Sequence, residues 1–281
     1  MKFGEIFWID YLKKKVNKGK DVLVGIGDDC ALVRVKKDEI LLKSDLFIED
    51  VHFKLKNISF ETIGMRAVGR VISDFAACGG VPKFIGVSLG KPNYIKDREI
   101  NRMLEGILKF SKIYKFFLIG GDTSKADKLF LDVWGLGLAD KYIARNTAKV
   151  GDYIFVSGVL GKNSYNKPFF PRVKEAQDLA KNFKINSMID ISDGFILDLY
   201  RILKESKKGA VIYKDKIPVA KSFKDLYRGE DYELIFTVSC NEAKIDFLKK
   251  KFYLVGKVLG KKCGYKFSDN SKISIGGYTH F

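Results

Sequence analysis

Six short segments place aspartate beside glycine, serine or threonine: Gly25-Ile26-Gly27-Asp28-Asp29, Ser44-Asp45, Ser73-Asp74, Gly120-Gly121-Asp122-Thr123, Asp190-Ile191-Ser192-Asp193-Gly194 and Gly229-Glu230-Asp231. Asp45 interrupts a strand-like run and Asp74 an apolar helical pattern. Taken singly, such an aspartate makes a turn or caps a helix, and for Asp28 that reading stands level with a functional one. Six in one basic chain ask for more, because gathered carboxylates repel and take up protons unless cations intervene. Histidine occurs only at His52 and His280, and Cys30, Cys78, Cys240 and Cys263 form no CxxC pair. The nitrogen and sulfur ligands of a zinc site are therefore lacking. Oxygen-only donors suit magnesium, which keeps waters and bridges to phosphates. Glycines let the backbone approach closely and turn its amides to phosphate oxygens. Carboxylates, magnesium and glycine loops together point to nucleotide chemistry. The common motifs do not supply it: Val156 stands where the first glycine of a P-loop around Gly161-Lys162 belongs, and Cys30 where a dinucleotide fingerprint starting at Gly25 needs its third glycine. No protein-kinase signature set is present.

Alternating strands and helices must position these loops. Asp21 to Ile26 and Ile40 to Phe47 read as strands. Ser59 to Cys78 reads as a helix with Ile63, Ala67, Val68, Val71, Ile72 and Phe75 at helical spacing, stopped by Gly79, Gly80 and Pro82. Phe84 to Leu89 is a strand, Ile100 to Leu108 marks a second helix, and Phe116 to Ile119 and Leu129 to Leu138 are strands. Polar residues and Gly151 interrupt the pattern between Lys141 and Asp152. Beyond them come a strand at Tyr153 to Ser157, an irregular stretch at Lys162 to Arg172, helices at Val173 to Phe183 and after Asp193, and strands at Glu233 to Val238 and Tyr253 to Val258 around a lysine-rich helix. The class is α+β, in two mixed α/β units with sheet and helix layers.

A chain of 281 residues accommodates two domains, and 46% hydrophobic with 30% charged residues is ordinary for a soluble enzyme. No apolar run approaches the ~18 residues that span a bilayer. The start, Met1 to Ile6, has no signal-like apolar core, so a cytoplasmic protein without membrane contact is expected. The formal charge is +17, but the lysines scatter in short pairs and triplets. That fits a lysine-biased surface, able to steer anionic ligands, better than a nucleic-acid-binding face.

Read together and in order, these segments resemble the thiamine-monophosphate kinase family, of the aminoimidazole-ribonucleotide synthetase-like superfamily. The resemblance rests on Gly25 to Leu32, Ser44-Asp45 leading to Val51-His52-Phe53, Ser73 to Gly79, Gly120 to Thr123, Ala144-Arg145 with Gly151-Asp152, Asp190 to Gly194, Gly229 to Leu234, and Gly277 to Phe281. It spans essentially the whole chain. It implies an N-terminal ATP- and magnesium-binding and dimerisation domain over 1–145, with its sheets pairing in a homodimer, and a C-terminal α/β domain over 146–281 that completes the active site. It implies that Asp29, Ser44, Asp45, Asp74, Asp122, Asp190 and Asp193 hold several magnesium ions. Gly121, Asp122, Arg145 and Ser192 bind ATP; His52, Glu230 and the position of Ile275 bind thiamine monophosphate. Departures from the family pattern fall at Val71, at Arg228, in the short loop Gly161 to Arg172, and at Ile275, where a ring-stacking aromatic is expected. Tyr232 or Phe170 are candidates to replace that ring.

The implied reaction moves the γ-phosphoryl group of ATP onto the phosphate of thiamine monophosphate, giving thiamine diphosphate. A phosphate monoester with a second pKa of about 6 is already largely ionised, so no general base and no phosphoenzyme are expected. Without the resemblance, His52 could be a packed histidine beside a strand and Glu230 a turn residue. A selenophosphate synthetase would need a reactive cysteine in the first residues, which are free of it, and a hydrogenase-maturation relative a C-terminal cysteine in place of Phe281.

Overall fold

The computed structural model describes residues 20–25, 27–35 and 38–279; the readings on Met1 to Ile6, Ile26, His280 and Phe281 lie outside them. The first sheet holds β1 (Val22–Val24), β2 (Ala31–Val35), β3 (Asp38–Ile48), β4 (Val81–Lys91), β5 (Phe117–Gly120), β6 (Thr123–Lys125) and β7 (Phe130–Leu138). Its order is β1-β2-β3-β7-β4-β5, with β6 also paired to β4. Only β5 and β6 run parallel to their neighbour, and the crossover this demands is supplied by a helix. The second sheet holds β8 (Tyr153–Val156), β9 (Ile185–Asp190), β10 (Lys208–Ile212), β11 (Leu234–Val238), β12 (Tyr253–Gly260) and β13 (Tyr265–Phe267), in the order β13-β10-β12-β8-β11-β9.

Helices α1 (Phe60–Ala77) and α2 (Asp97–Tyr114) belong to the first unit; α3 (Val173–Asn182), α4 (Phe195–Ser206) and α5 (Glu242–Lys249) to the second. The periodicity of Ser59 to Cys78 is realised closely. Ser59 caps α1 by accepting from Thr62 N–H, and Cys78 ends it. Yet α1 is buried almost all round, Arg66 included. It touches β3, β4, β7 and α2 on one side and β9 and α3 on the other, so it is the shared wall of both units. Glycine makes its crossing with α2 possible: a Cβ on Gly64 would stand 2.0 Å from Met103 O, and one on Gly106 2.0 Å from Glu61 O.

One core joins the first sheet, α1 and α2 to the near face of the second sheet through Phe155, Met188 and Phe236. A second core lies between that sheet's far face and α4, around Ile196, Leu199 and Ile202. Burial on both faces explains why β11, Leu-Ile-Phe-Thr-Val, is a continuous rather than alternating run. The first sheet has only one covered face. Along β3, Leu41, Lys43, Asp45 and Phe47 alternate inward, while Leu42, Ser44 and Leu46 are exposed on the other side with Trp134, Leu138, Phe117 and Ile119. No helix among the described residues is long and apolar enough to cross a membrane.

Candidate active site

A cleft of about 500 Å³ is lined by both units along the C-terminal end of α1. Asp74 comes from the last turn of α1, Asp45 from the inner face of β3, Asp29 from the turn before β2, and Asp190 from the end of β9. The helix and β9 are stitched at this point: Ser73 Oγ donates to Asp190 Oδ2 (2.6 Å). One carboxylate oxygen from each of Asp29, Asp74 and Asp190 lies within 4.8 Å of the others. All three carboxyls are buried. Burial, followed by the charge of Asp29, pushes the Asp190 carboxyl up to about 7. Burial raises Asp74 well above its ordinary value too, against the pull of Lys43 and with the push of Asp190 and Asp45. Asp45 goes the other way: burial alone would raise it, but Lys43 and Arg70 hold it below the usual carboxylate range.

Arg145 sits at the edge of this group. Its Nη1 donates to Gly27 O (3.2 Å) and its Nη2 to Asp29 Oδ1 (2.5 Å), and its backbone N–H donates to Asp28 Oδ2 (3.1 Å). Two buried polar atoms are left over there, Asp29 Oδ2 and Arg145 Nε, neither with a hydrogen-bond partner among the described residues. An unmatched anion oxygen and an unmatched cationic donor on one ion pair are costly unless ligands complete them.

The loop before β11 alternates its duties. Glu230 accepts from Arg66 Nη2, from Arg70 Nη1 (3.0 Å) and from Tyr232 OH (3.0 Å) at the cleft. Asp231 instead accepts from Gly161 N–H (2.9 Å), and Glu233 from Arg172 Nε (2.8 Å) and Nη2 (2.6 Å), tying down the 161–172 loop. Glu230 and Tyr232 hold positive φ, 73° and 51°, and this strained turn is pinned to the β9–α4 loop by Glu230 N–H to Ser192 O (2.8 Å) and Tyr232 N–H to Ile191 O (2.8 Å). In that loop Asp193 is held by Arg201 Nη1 (2.6 Å), which also donates to Asp198 Oδ1 (2.6 Å) at the start of α4. His52 accepts from Ile48 N–H at Nδ1 (3.0 Å), so its neutral ring carries the proton on Nε2.

Of the residues expected from sequence, the cleft gathers Asp29, Asp45, Asp74, Asp190, Asp193, Arg145, Ser192, His52 and Glu230. Ser44 stands on the outer face of β3 and donates to Asp132 Oδ1 (2.7 Å), because adjacent strand residues face opposite ways. Gly121 and Asp122 lie in the exposed β5–β6 loop, where Asp122 Oδ1 accepts from Thr123 N–H (2.8 Å), and are not among the cleft's lining. Gly121, at φ 152° with a Cβ position 1.7 Å from Val87 O, admits no other residue. Ile275 is 48% exposed and also off the lining. Tyr232 lines the cleft with its ring stacked on Phe169 (centroids 3.7 Å, 10°), while Phe170 packs on Phe110. Tyr165 and Tyr200 line the cleft without a site role read from sequence, and Tyr278, from the Gly277 to Phe281 stretch, lines it too. Sequence reading also passed over Lys43, Arg70, Asp198 and Arg201. Only Lys43 carried a signal, since strand alternation puts it on the same face as Asp45.

A family described as AIR synthase related protein, N-terminal domain, matches residues 27–139. The thiamine-monophosphate kinase of Buchnera aphidicola from Acyrthosiphon pisum is 34% identical over 100% of both chains. That of Bacillus subtilis is 36% identical over 79% of each. Among solved structures, AaThiL complexed with AMPPCP and TMP superposes with a TM-score of 0.86 at 28% identity, over 99% of this chain and 97% of that one. Thiamine monophosphate kinase from Aquifex aeolicus gives 0.77 at 26% identity, over 95% and 97%. Sharing full-length identity with named members, and an architecture with their solved structures, the chain belongs to the thiamine-monophosphate kinase family.

Proposed function

We propose that this chain transfers the γ-phosphoryl group of ATP directly to thiamine monophosphate, forming thiamine diphosphate in the cytoplasm, where ATP is supplied. The observation that carries the reading is the convergence of Asp29, Asp74 and Asp190, with Asp29 Oδ2 and Arg145 Nε both without partners among the described residues. Two ligands of one octahedral magnesium stand up to about 4 Å apart; the three oxygens, within 4.8 Å of one another, lie near that spacing and would have to draw in slightly around such an ion. Asp29, Asp74 and Asp190, with Asp45 and Asp193 alongside, would hold magnesium, and the ions would offset the repulsion between the two phosphate groups.

The protein's own groups do the rest. Arg145 offers its Nε–H to a phosphate oxygen while Asp29 fixes its plane. His52, a donor at Nε2, suits the acceptor's phosphate. Glu230, held by Arg66, Arg70 and Tyr232, is a rigid carboxylate suited to the cationic, amino-bearing heterocycles of thiamine. No base is required, because the attacking oxygen is already ionised near neutral pH. Ser44, Gly121, Asp122 and Ile275 are assigned to the site by resemblance alone, and the lack of strands between Leu138 and Tyr153 supports a division at 145/146. The exposed apolar face of the first sheet supports a homodimer that buries Leu42, Leu46 and Trp134.

Incubation with ATP, magnesium and thiamine monophosphate tests the reading. ADP and thiamine diphosphate are expected in equal amounts, with free thiamine a poor acceptor. ATP left intact with both acceptors, in a folded protein with magnesium present, refutes it.

A further inference from the structure

Among the cleft's carboxylates sits one cation that the phosphate chemistry does not use. Lys43 Nζ lies 3.0 Å from Asp74 Oδ2 and 3.5 Å from Asp45 Oδ1. The two carboxylates belong to different elements, α1 and β3, so the ammonium bridges them as a metal ion would. It is tethered: Lys43 sits mid-strand, paired across to Gly135 of β7, with its side chain on the inner face against α1 and only 23% exposed. To leave, the ammonium would have to give up both carboxylates while its stem stayed on the same face. It carries one charge, not two, and like-charge repulsion disfavours a divalent ion beside it. The unpartnered oxygen of the cluster, Asp29 Oδ2, belongs to a carboxylate that Lys43 does not bridge.

We propose that Lys43 is a built-in cation of the active site, standing permanently between Asp45 and Asp74 in place of a divalent ion, so that the chain binds one metal ion fewer than its carboxylates could hold. The proposal rests on the metal-binding reading above. It assigns divalent ions to the side of the cluster formed by Asp29, Asp190 and Asp74, the last shared with Lys43, leaves Asp45 to the ammonium in place of magnesium, and makes Lys43 a positioning residue that keeps Asp45 and Asp74 together without metal.

Counting bound Mn2+ by electron paramagnetic resonance of the free ion tests this on the intact protein. Lys43→Gln and Lys43→Met remove the charge at similar length; Lys43→Arg retains it. Both neutral variants are expected to bind one more Mn2+ per chain than the parent, and the arginine variant the parent's number. In thermal melts the neutral variants should be less stable than the parent in EDTA and gain more from added Mn2+. The same non-zero count and the same gain in all four proteins overturn the role of Lys43 while leaving the metal reading intact. Absence of Mn2+ binding in all four defeats the metal reading and the proposal with it.

Discussion

Replacing Asp190 by asparagine should make the metal-free protein more stable, although the residue lies at the heart of the site. The Asp190 carboxyl is buried, faces Asp29, and is raised from the ordinary 3.8 to about 7. In the unfolded chain the group ionises above about 4, whereas the folded chain keeps its proton until about pH 7. The folded state therefore binds more protons between these values. Stability falls as pH rises through that window, and the full penalty is present above it. At about 1.4 kcal/mol per unit, a rise of this size corresponds to about 4 kcal/mol. Neighbouring carboxyls share the strain by taking up protons together, so the gain from Asp190→Asn at pH 8 should fall between about 1 and 4 kcal/mol. The amide oxygen can still accept from Ser73 Oγ, so the stitch between α1 and β9 survives. Urea denaturation in EDTA reads the effect: the variant exceeds the parent at pH 8, and the difference shrinks towards zero near pH 4. With magnesium and a nucleotide the order should reverse, since the parent alone gains a full ligand set. A variant no more stable than the parent at pH 8 in EDTA would refute the electrostatic crowding on which the metal assignment leans.

Asp74→Asn should lower turnover by about a hundredfold or more while leaving the circular dichroism spectrum unchanged; steady-state rates at saturating magnesium check it. Gly106→Ala would gain about 1 kcal/mol of helix propensity but drives a Cβ into Glu61 O at the α1–α2 crossing. Overpacking of this kind costs about 1–3 kcal/mol, so a net loss of up to about 2 kcal/mol is expected, read from urea denaturation. Leu46→Asp, on the exposed face of the first sheet, should convert a sedimenting dimer into monomer without unfolding it.

Much of the frame is legible along the chain. Ser59 to Cys78 shows its cap, its apolar stripe and its glycine stop, and these become α1 within a residue at each end. The strands β2, β6, β9, β10 and β13 are not read from it. In β9, Ile-Asn-Ser-Met-Ile-Asp, every residue is buried. Its polar members are satisfied from afar, Asn186 donating to Asp152 and Ser187 to Arg145 O. Partners more than thirty residues away hide the strand from any local pattern.

The site divides in the same way. Residue types alone determine its donor chemistry: oxygen ligands without a histidine or cysteine set, glycine turns, and acids where a surface would not put them. Which acid does what is settled by the fold. Glu230 reaches the cleft and Asp231 turns to Gly161; Asp45 faces the cluster and Ser44 its opposite side; Lys43 ends between Asp45 and Asp74. Charge acts through space and is amplified by burial. Distance and burial are properties of packed elements, and spacing along the chain contains neither.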